Sequence, residues 1–324
     1  MHDVIIVGAG PIGLYAAYYC GFQKLNTVVL ESLSFNGGQL VNLYRDKYIY
    51  DLPGFSQITA GNFIEKLEEQ YGQFKKDIPI HHDQAVLDIH KDGDDFVVTT
   101  SKDRYIGKTV LICSGGGEFK PRKLNIAGAD AFSNIHYVAN IEKYKDKEVV
   151  VLGGGDSAVD FALMINEISS HTTLVHRRDE FRAHAHSIEL LNESSVNVLT
   201  PYEVDGLEGE GETAETLILN KVGTGHKVNL KADYFFVNYG FVPTSAKYEN
   251  WGLNAVKDGI KVESDTSTSV PGIFAVGNCA VYDGKIKTIA VGLGEVPKAI
   301  TSIKRYLNPG KIIGTVYSTT MGNK

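Results

Sequence analysis

The feature that most constrains this chain is a pattern that occurs twice: an apolar strand, a glycine-rich turn, then a helix. The first copy runs from Asp3 to Val7, through Gly8-Ala9-Gly10-Pro11-Ile12-Gly13, into a helical stretch reaching Tyr19. The second runs from Glu148 to Leu152, through Gly153-Gly154-Gly155-Asp156-Ser157-Ala158, into a helical stretch reaching about Ile168. The turns start 145 residues apart, one domain's worth, so a nucleotide-binding unit is duplicated. Gly8, Gly10 and Gly13 match G-x-G-x-x-G, and Gly153, Gly155 and Ala158 match its allowed variant G-x-G-x-x-A. In this motif the second glycine lets backbone approach a pyrophosphate, and the helix N-terminus attracts the anion.

The two copies differ at the ribose end. Glu31 closes the apolar strand Thr27-Val28-Val29-Leu30, where an adenosine ribose presents its 2′-hydroxyl. A carboxylate there repels a 2′-phosphate, so this site prefers FAD or NAD. The second copy ends its strand Leu174-Val175 in His176-Arg177-Arg178, with Arg182 further on. Guanidinium groups fork onto phosphate oxygens, which suits the 2′-phosphate of NADP(H). His184 and His186 follow as H-x-H, but no further ligand spacing supports a metal, and they read as surface histidines. Two nucleotide units with opposite ribose chemistry imply a flavoprotein. One would hold FAD and the other would bring NADPH.

Between the fingerprints, Ala85 to Cys113 reads as a β meander with a turn at Asp92-Gly93, ending in the hinge Ser114-Gly115-Gly116-Gly117. A second meander is expected from Glu215 to Asn220 and, after a Gly223/Gly225 turn, from Lys227 to Val237. Gly240-Phe241-Val242-Pro243 reads as the return hinge, and Glu295 to Tyr306 as a helix. The expected fold class is α/β, with two Rossmann-like dinucleotide-binding domains of three-layer ββα type. The FAD domain would span 1–117 plus 243–324, with the NADPH domain 118–242 inserted in it.

The 324 residues carry only three cysteines, Cys20, Cys113 and Cys279, far apart and without C-x-x-C. That excludes a disulfide scaffold, a zinc ribbon and a local redox dithiol, and fits a reducing, cytoplasmic compartment. A net charge of −7 argues against nucleic acid as a partner. No apolar run approaches the ~20 residues that span a membrane. The start of the chain has no signal-peptide pattern.

Several stretches resemble the low-molecular-weight thioredoxin reductases: the interrupted domain order, Gly37-Gly38-Gln39-Leu40, and the run from His176 to Arg182. That family needs C-x-x-C just before the second fingerprint, and the segment from Phe132 to Lys147 has no cysteine. The chain more specifically resembles the branch without the dithiol, the thioredoxin-reductase-like ferredoxin–NADP reductases. The resemblance rests on the tyrosine-rich stretch from Leu43 to Asp51, on Phe119-Lys120-Pro121-Arg122-Lys123-Leu124, on Phe181-Arg182-Ala183-His184, and on Lys285 to Glu295. It covers essentially the whole chain.

The resemblance implies FAD contacts residue by residue. Glu31 would bind the adenosine ribose, Gln39 and Tyr44 would contact the flavin side, and the backbone near Val86 the adenine. Tyr50 would stack on the isoalloxazine, an apt use of an aromatic face. Phe119 would line the flavin site at the hinge, Asn278 the ribityl-phosphate region, and Thr319 would approach the ring. Two departures stand out. The family usually has aspartate where this chain has Asn278, which can hydrogen-bond but is neutral. The family also places an aromatic ring, commonly histidine, on the opposite flavin face; no histidine follows His226, and Tyr317 is the candidate replacement.

Without a dithiol, electrons must leave the flavin another way, and a ferredoxin or flavodoxin accepts them singly. Such carriers are acidic. From Gly272 to Lys324, seven basic residues (Lys285, Lys287, Lys298, Lys304, Arg305, Lys311 and Lys324) face only Asp283 and Glu295, a local +5 that could dock one. A homodimer follows from the resemblance alone. The alternatives are an NADPH-dependent reductase of a low-molecular-weight disulfide, such as bacillithiol disulfide, and a non-catalytic redox- or NADPH-sensing flavoprotein. Relatives with the first role carry a cysteine just inside the first fingerprint, where this chain has Ile12.

Overall fold

The structure, a computed structural model, describes residues 1–117, 119–139, 141–243, 248–257 and 259–314, without the side chains of 119, 120 and 241–243. The expected positions Tyr317 and Thr319 lie outside the described residues, and so does the side chain of Phe119. The chain forms two compact units, one of Met1–Glu118 with Pro243–Lys324, the other of Phe119–Val242.

The first unit is built on a seven-stranded sheet in the order Ile80–His81, Thr27–Leu30, His2–Val7, Arg104–Ile112, Asp95–Thr100, Val86–Asp92, with Ile273–Ala275 also pairing Arg104–Ile112. The strands around His2–Val7 run parallel, whereas the meander from Val86 to Ile112 is antiparallel. Alternation of side chains explains the near-continuous apolar run of the first strand, because it is covered on both faces. Val4 and Ile6 join one buried cluster with residues of the helices Pro11–Phe22 and Ile289–Leu307. Ile5 and Val7 point the other way, into a second cluster with Phe96, Val98, Trp251 and Ile260.

The second unit repeats the plan with a five-stranded parallel sheet, ordered Ile135–His136, Tyr234–Val237, Glu148–Leu152, His171–Val175, Asn197–Leu199. A three-stranded antiparallel sheet of Tyr202–Glu210, Thr213–Lys221 and Lys227–Lys231 accompanies it. In both units the glycine turn follows the carboxyl end of a central parallel strand, where α/β sheets place ligands.

Three expectations change in detail. The second meander gains the strand Tyr202–Glu210, whose acidic residues hide a period-2 alternation on an exposed sheet. Tyr234–Val237 leaves that meander and pairs in the parallel sheet, because the meander strand ends at Lys231 and Asp233 Oδ2 accepts from the Glu148 amide at 2.9 Å. The last helix begins at Ile289, six residues before the expected start. Gly292, in the added first turns, serves packing: a Cβ there would stand 2.7 Å from Ile12 Cδ1 and 3.2 Å from Gly277 Cα.

Candidate cofactor sites

Each glycine of the first turn has a separate steric reason. Gly8 takes φ +103°, which strains other residues, and an added Cβ would stand 2.8 Å from the Cys113 carbonyl oxygen. At Gly13 a Cβ would lie 1.8 Å from the Gly8 carbonyl oxygen, so any larger residue would push the helix off the strand. At Gly10 a Cβ would meet no protein atom within 4 Å, and the backbone is ordinary at φ −68°. Protein packing therefore gives no reason for glycine at this position. Approach of a pyrophosphate does, and the residues fit that group. Pro11 opens the helix at a position that needs no N–H, and no side chain caps the helix, so its first amides are free for an anion.

Glu31 is bound into this turn. Its Oε2 accepts from the Ala9 amide at 2.6 Å, and its Oε1 from the Leu33 amide at 2.8 Å and the Ser32 hydroxyl at 3.1 Å. The group is 4% exposed, so charge-assisted bonds to backbone offset its burial. The Gln84 amide donates to the Glu31 carbonyl at 2.7 Å, which ties the segment leading into half-buried Val86 to the end of the strand Thr27–Leu30. The Gly37-Gly38-Gln39 loop also closes on the fingerprint. The Gly37 amide donates to the Ala9 carbonyl at 2.9 Å, and a Cβ on Gly38 would stand 3.2 Å from Gly10 Cα. Gln39 then starts the short helix Gln39–Tyr44, which ends at half-buried Tyr44, a phenol raised by burial. Tyr50 is 68% exposed, its ring 6.4 Å from that of Tyr48.

The second turn repeats the steric logic. A Cβ on Gly153 would stand 2.3 Å from the Asn238 carbonyl oxygen, whereas one on Gly155 would meet only the Arg182 carbonyl oxygen, at 4.0 Å. Ala158 is buried against Gly153. His176 packs on Gly154, where a Cβ would stand 2.2 Å from its Nδ1, and its ring stacks on Phe181 at 5.2 Å between centroids. Burial lowers its pKa, the Glu180 backbone opposes that, and the charges of Arg178, Arg177 and Arg182 lower it further. His176 Nε2 is buried without a hydrogen-bond partner among the described residues. The Arg182 amide donates to the Gly154 carbonyl at 2.7 Å, which draws its chain segment against the turn. Arg177, Arg178 and Arg182 are exposed, and none pairs with a carboxylate among the described residues. Three free guanidinium groups and an orphaned imidazole nitrogen beside a dinucleotide turn fit a phosphate-bearing ribose.

The sequence reading missed a buried polar cluster at the third edge of the first unit. Glu295 Oε2 accepts from the Gly277 amide at 2.7 Å; its Oε1 accepts from the Tyr282 hydroxyl at 2.6 Å and from Lys285 Nζ. Gly277 precedes half-buried Asn278. Lys285 was expected among the surface charges of the basic C-terminal stretch; its side chain is 3% exposed and neutralised by Glu295, with its Nζ 5.4 Å from the centre of the Tyr282 ring. Separations of 10 to 18 residues from Glu295 match no common motif, so only the fold brings these groups together.

The three cysteines are buried and free. Burial pushes the Cys20 thiol up to about 12 and the Cys279 thiol up to about 11, and raises Cys113 well above the usual range. Among the described residues no cluster of three or more His, Cys, Asp or Glu could hold a metal ion, and no helix is long and apolar enough to cross a membrane.

Comparison with known proteins agrees with this architecture. Residues 2–301 match the sequence model of the pyridine nucleotide-disulphide oxidoreductase family. A protein of Acholeplasma laidlawii named ferredoxin–NADP reductase is 45% identical over 322 residues, covering 99% of both chains. One of the same name from Streptococcus pneumoniae is 44% identical over 322 residues, with the same coverage. The crystal structure of Lactococcus lactis thioredoxin reductase in its FR conformation matches with a TM-score of 0.78 at 26% identity, over 95% of this chain and 99% of that one. The chain therefore belongs to the pyridine nucleotide-disulphide oxidoreductase family, as a thioredoxin-reductase-like member of its ferredoxin–NADP reductases.

Proposed function

We propose that this enzyme exchanges electrons between NADPH and a ferredoxin. It is an FAD- and NADPH-dependent oxidoreductase. When bound, FAD would supply the link between the two-electron chemistry of NADPH and a one-electron carrier. The observation that carries the reading is the contrast between the two turns, with Glu31 bound beside one and Arg177, Arg178 and Arg182 free beside the other.

In this reading the unit containing Gly8, Gly10, Gly13 and Glu31 binds FAD. Its Glu31 carboxylate takes the adenosine ribose hydroxyls, Gln39 and Tyr44 border the flavin, and exposed Tyr50 offers its face to the ring. Asn278 hydrogen-bonds the ribityl-phosphate region; the expected contacts of Tyr317 and Thr319 fall outside the described residues. The unit containing Gly153, Gly155 and Ala158 binds NADPH, with the guanidinium groups on the 2′-phosphate and His176 setting the floor of the turn. Hydride exchange between the two cofactors would need no side chain as acid or base, so these residues bind and orient rather than transfer protons.

The carrier docks electrostatically. With Lys285 buried, the exposed basic residues of the last helix and its approach (Lys287, Lys298 and Arg305) form the surface that meets an acidic protein. A flavodoxin of similar charge would use the same surface. We place the enzyme in the cytoplasm as a homodimer; free buried thiols suit a reducing compartment. A low-molecular-weight disulfide reductase is the weaker reading, because Ile12 stands where relatives of that role carry cysteine and the three thiols are buried with raised pKa values.

Anaerobic titration with NADPH tests the proposal. The yellow protein should bleach, and added ferredoxin should restore the colour. A colourless preparation that binds no FAD would overturn it.

A further inference from the structure

Glu295 sits on the last helix with three donors around it, and all three come from the nine residues Gly277 to Lys285 that lead toward that helix. Lys285 and Glu295 have side chains 3% and 5% exposed. A buried ion pair adds little net stability over well-packed apolar residues, so packing alone does not account for one here. The pair does accomplish one thing that an apolar pair could not: it supplies a fixed acceptor to the Gly277 amide while adding no net charge. Tyr282, raised to about 12 mainly by burial and then by the carboxylate it bonds, remains a donor at neutral pH.

The Gly277–Cys279 turn is gripped from two further sides. Cys279 Sγ donates to the Val276 carbonyl at 3.1 Å and the Ile112 carbonyl at 3.3 Å. Gly292 lets the last helix press on Gly277 and on Ile12 of the first fingerprint. Within this held turn the Asn278 amide is half-buried and forms no hydrogen bond to the described residues. It is the polar side chain that the turn presents.

We propose that Glu295, neutralised by Lys285 and steadied by Tyr282, is a positioning residue: through the Gly277 amide it fixes the turn that aims Asn278 at FAD. This rests on the reading of the first unit as the FAD site. A neutral Asn278 orients by hydrogen bonding alone, without the charge of a carboxylate, so its placement depends on how firmly the turn is held.

The test is the dissociation constant of FAD, read by flavin fluorescence after the cofactor is stripped from the full chain and added back. Glu295→Ala should weaken FAD about tenfold or more, the loss of one charge-assisted bond at a binding site. Glu295→Gln keeps an oxygen for the Gly277 amide but leaves the buried Lys285 ammonium unpaired, so alone it should weaken FAD less than Glu295→Ala does. Lys285→Met leaves a buried carboxylate unpaired and should weaken FAD, whereas Lys285→Met with Glu295→Gln should recover most of the affinity. Thermal unfolding of each apoprotein separates positioning from damage: the Lys285→Met/Glu295→Gln chain should melt near wild type. If Glu295→Ala does not fold, the recovery in the double variant decides. Wild-type FAD affinity in Glu295→Ala, or no recovery in the double variant, would overturn the proposal. If the wild-type chain itself takes up no FAD, the FAD reading fails instead.

Discussion

The Ala9 amide donates to Glu31 Oε2 over 2.6 Å, so the carboxylate at the end of the second strand is anchored inside the first glycine turn. One group thus ties strand to turn and, on the proposed assignment, keeps a lone pair for a ribose hydroxyl. Hydrogen bonds to a charged group contribute ~1.5–3 kcal/mol. Glu31→Ala should therefore lower apoprotein stability by about 2 kcal/mol and weaken FAD about tenfold or more. Thermal unfolding and FAD titration check the two effects separately.

The glycines of the same turn should separate folding from binding. At Gly10 a Cβ meets no protein atom within 4 Å, so Gly10→Ala should change apoprotein stability by under about 0.5 kcal/mol and still weaken FAD strongly. At Gly13 a Cβ would lie 1.8 Å from the Gly8 carbonyl oxygen, and Gly13→Ala should cost about 3 kcal/mol or more with no cofactor present. Denaturant unfolding of both apoproteins reads the difference.

On the proposed assignment, the exposed guanidinium groups set the choice of nicotinamide cofactor. Arg177→Ala with Arg178→Ala should raise the KM for NADPH about tenfold to a hundredfold and barely move that for NADH. Equal losses on both cofactors would show that the arginines do not read the 2′-phosphate.

The thiols should be bystanders. Native Cys279 and Cys20 lose their protons only as pH nears about 11 and 12, because burial disfavours the thiolate, so the nucleophilic form is scarce below that range. Iodoacetamide at neutral pH should leave turnover intact, and replacing Cys20 and Cys113 with alanine should keep turnover within about twofold. Inhibition at neutral pH would revive a thiol mechanism.

Much of this was legible in the sequence, for a physical reason. Dinucleotide turns need small residues at fixed offsets and a charged residue at the end of the next strand, so Gly8, Gly10, Gly13, Glu31, Gly153, Gly155, Ala158 and Arg177 announce themselves locally. The buried cluster of Lys285, Tyr282 and Glu295 did not. Its members are ordinary surface types whose burial depends on a helix folding back onto a turn, and charge counting therefore placed Lys285 outside. The helix start at Ile289 was obscured similarly, since Gly292 looks like a breaker until its contact with Ile12 is seen. His176 was read with its neighbouring arginines; the structure packs its ring under the turn, on Gly154 and Phe181.

The central claim is electron transfer to a one-electron protein carrier, and carrier-dependent reduction of cytochrome c with NADPH tests it most directly. Turnover should be slow without ferredoxin, rise and saturate as ferredoxin is added, and lose about tenfold in kcat/KM over a tenfold rise in salt as basic residues such as Lys298 and Arg305 are screened. NADPH-dependent bleaching of the flavin with no ferredoxin-dependent reduction of cytochrome c would contradict the account.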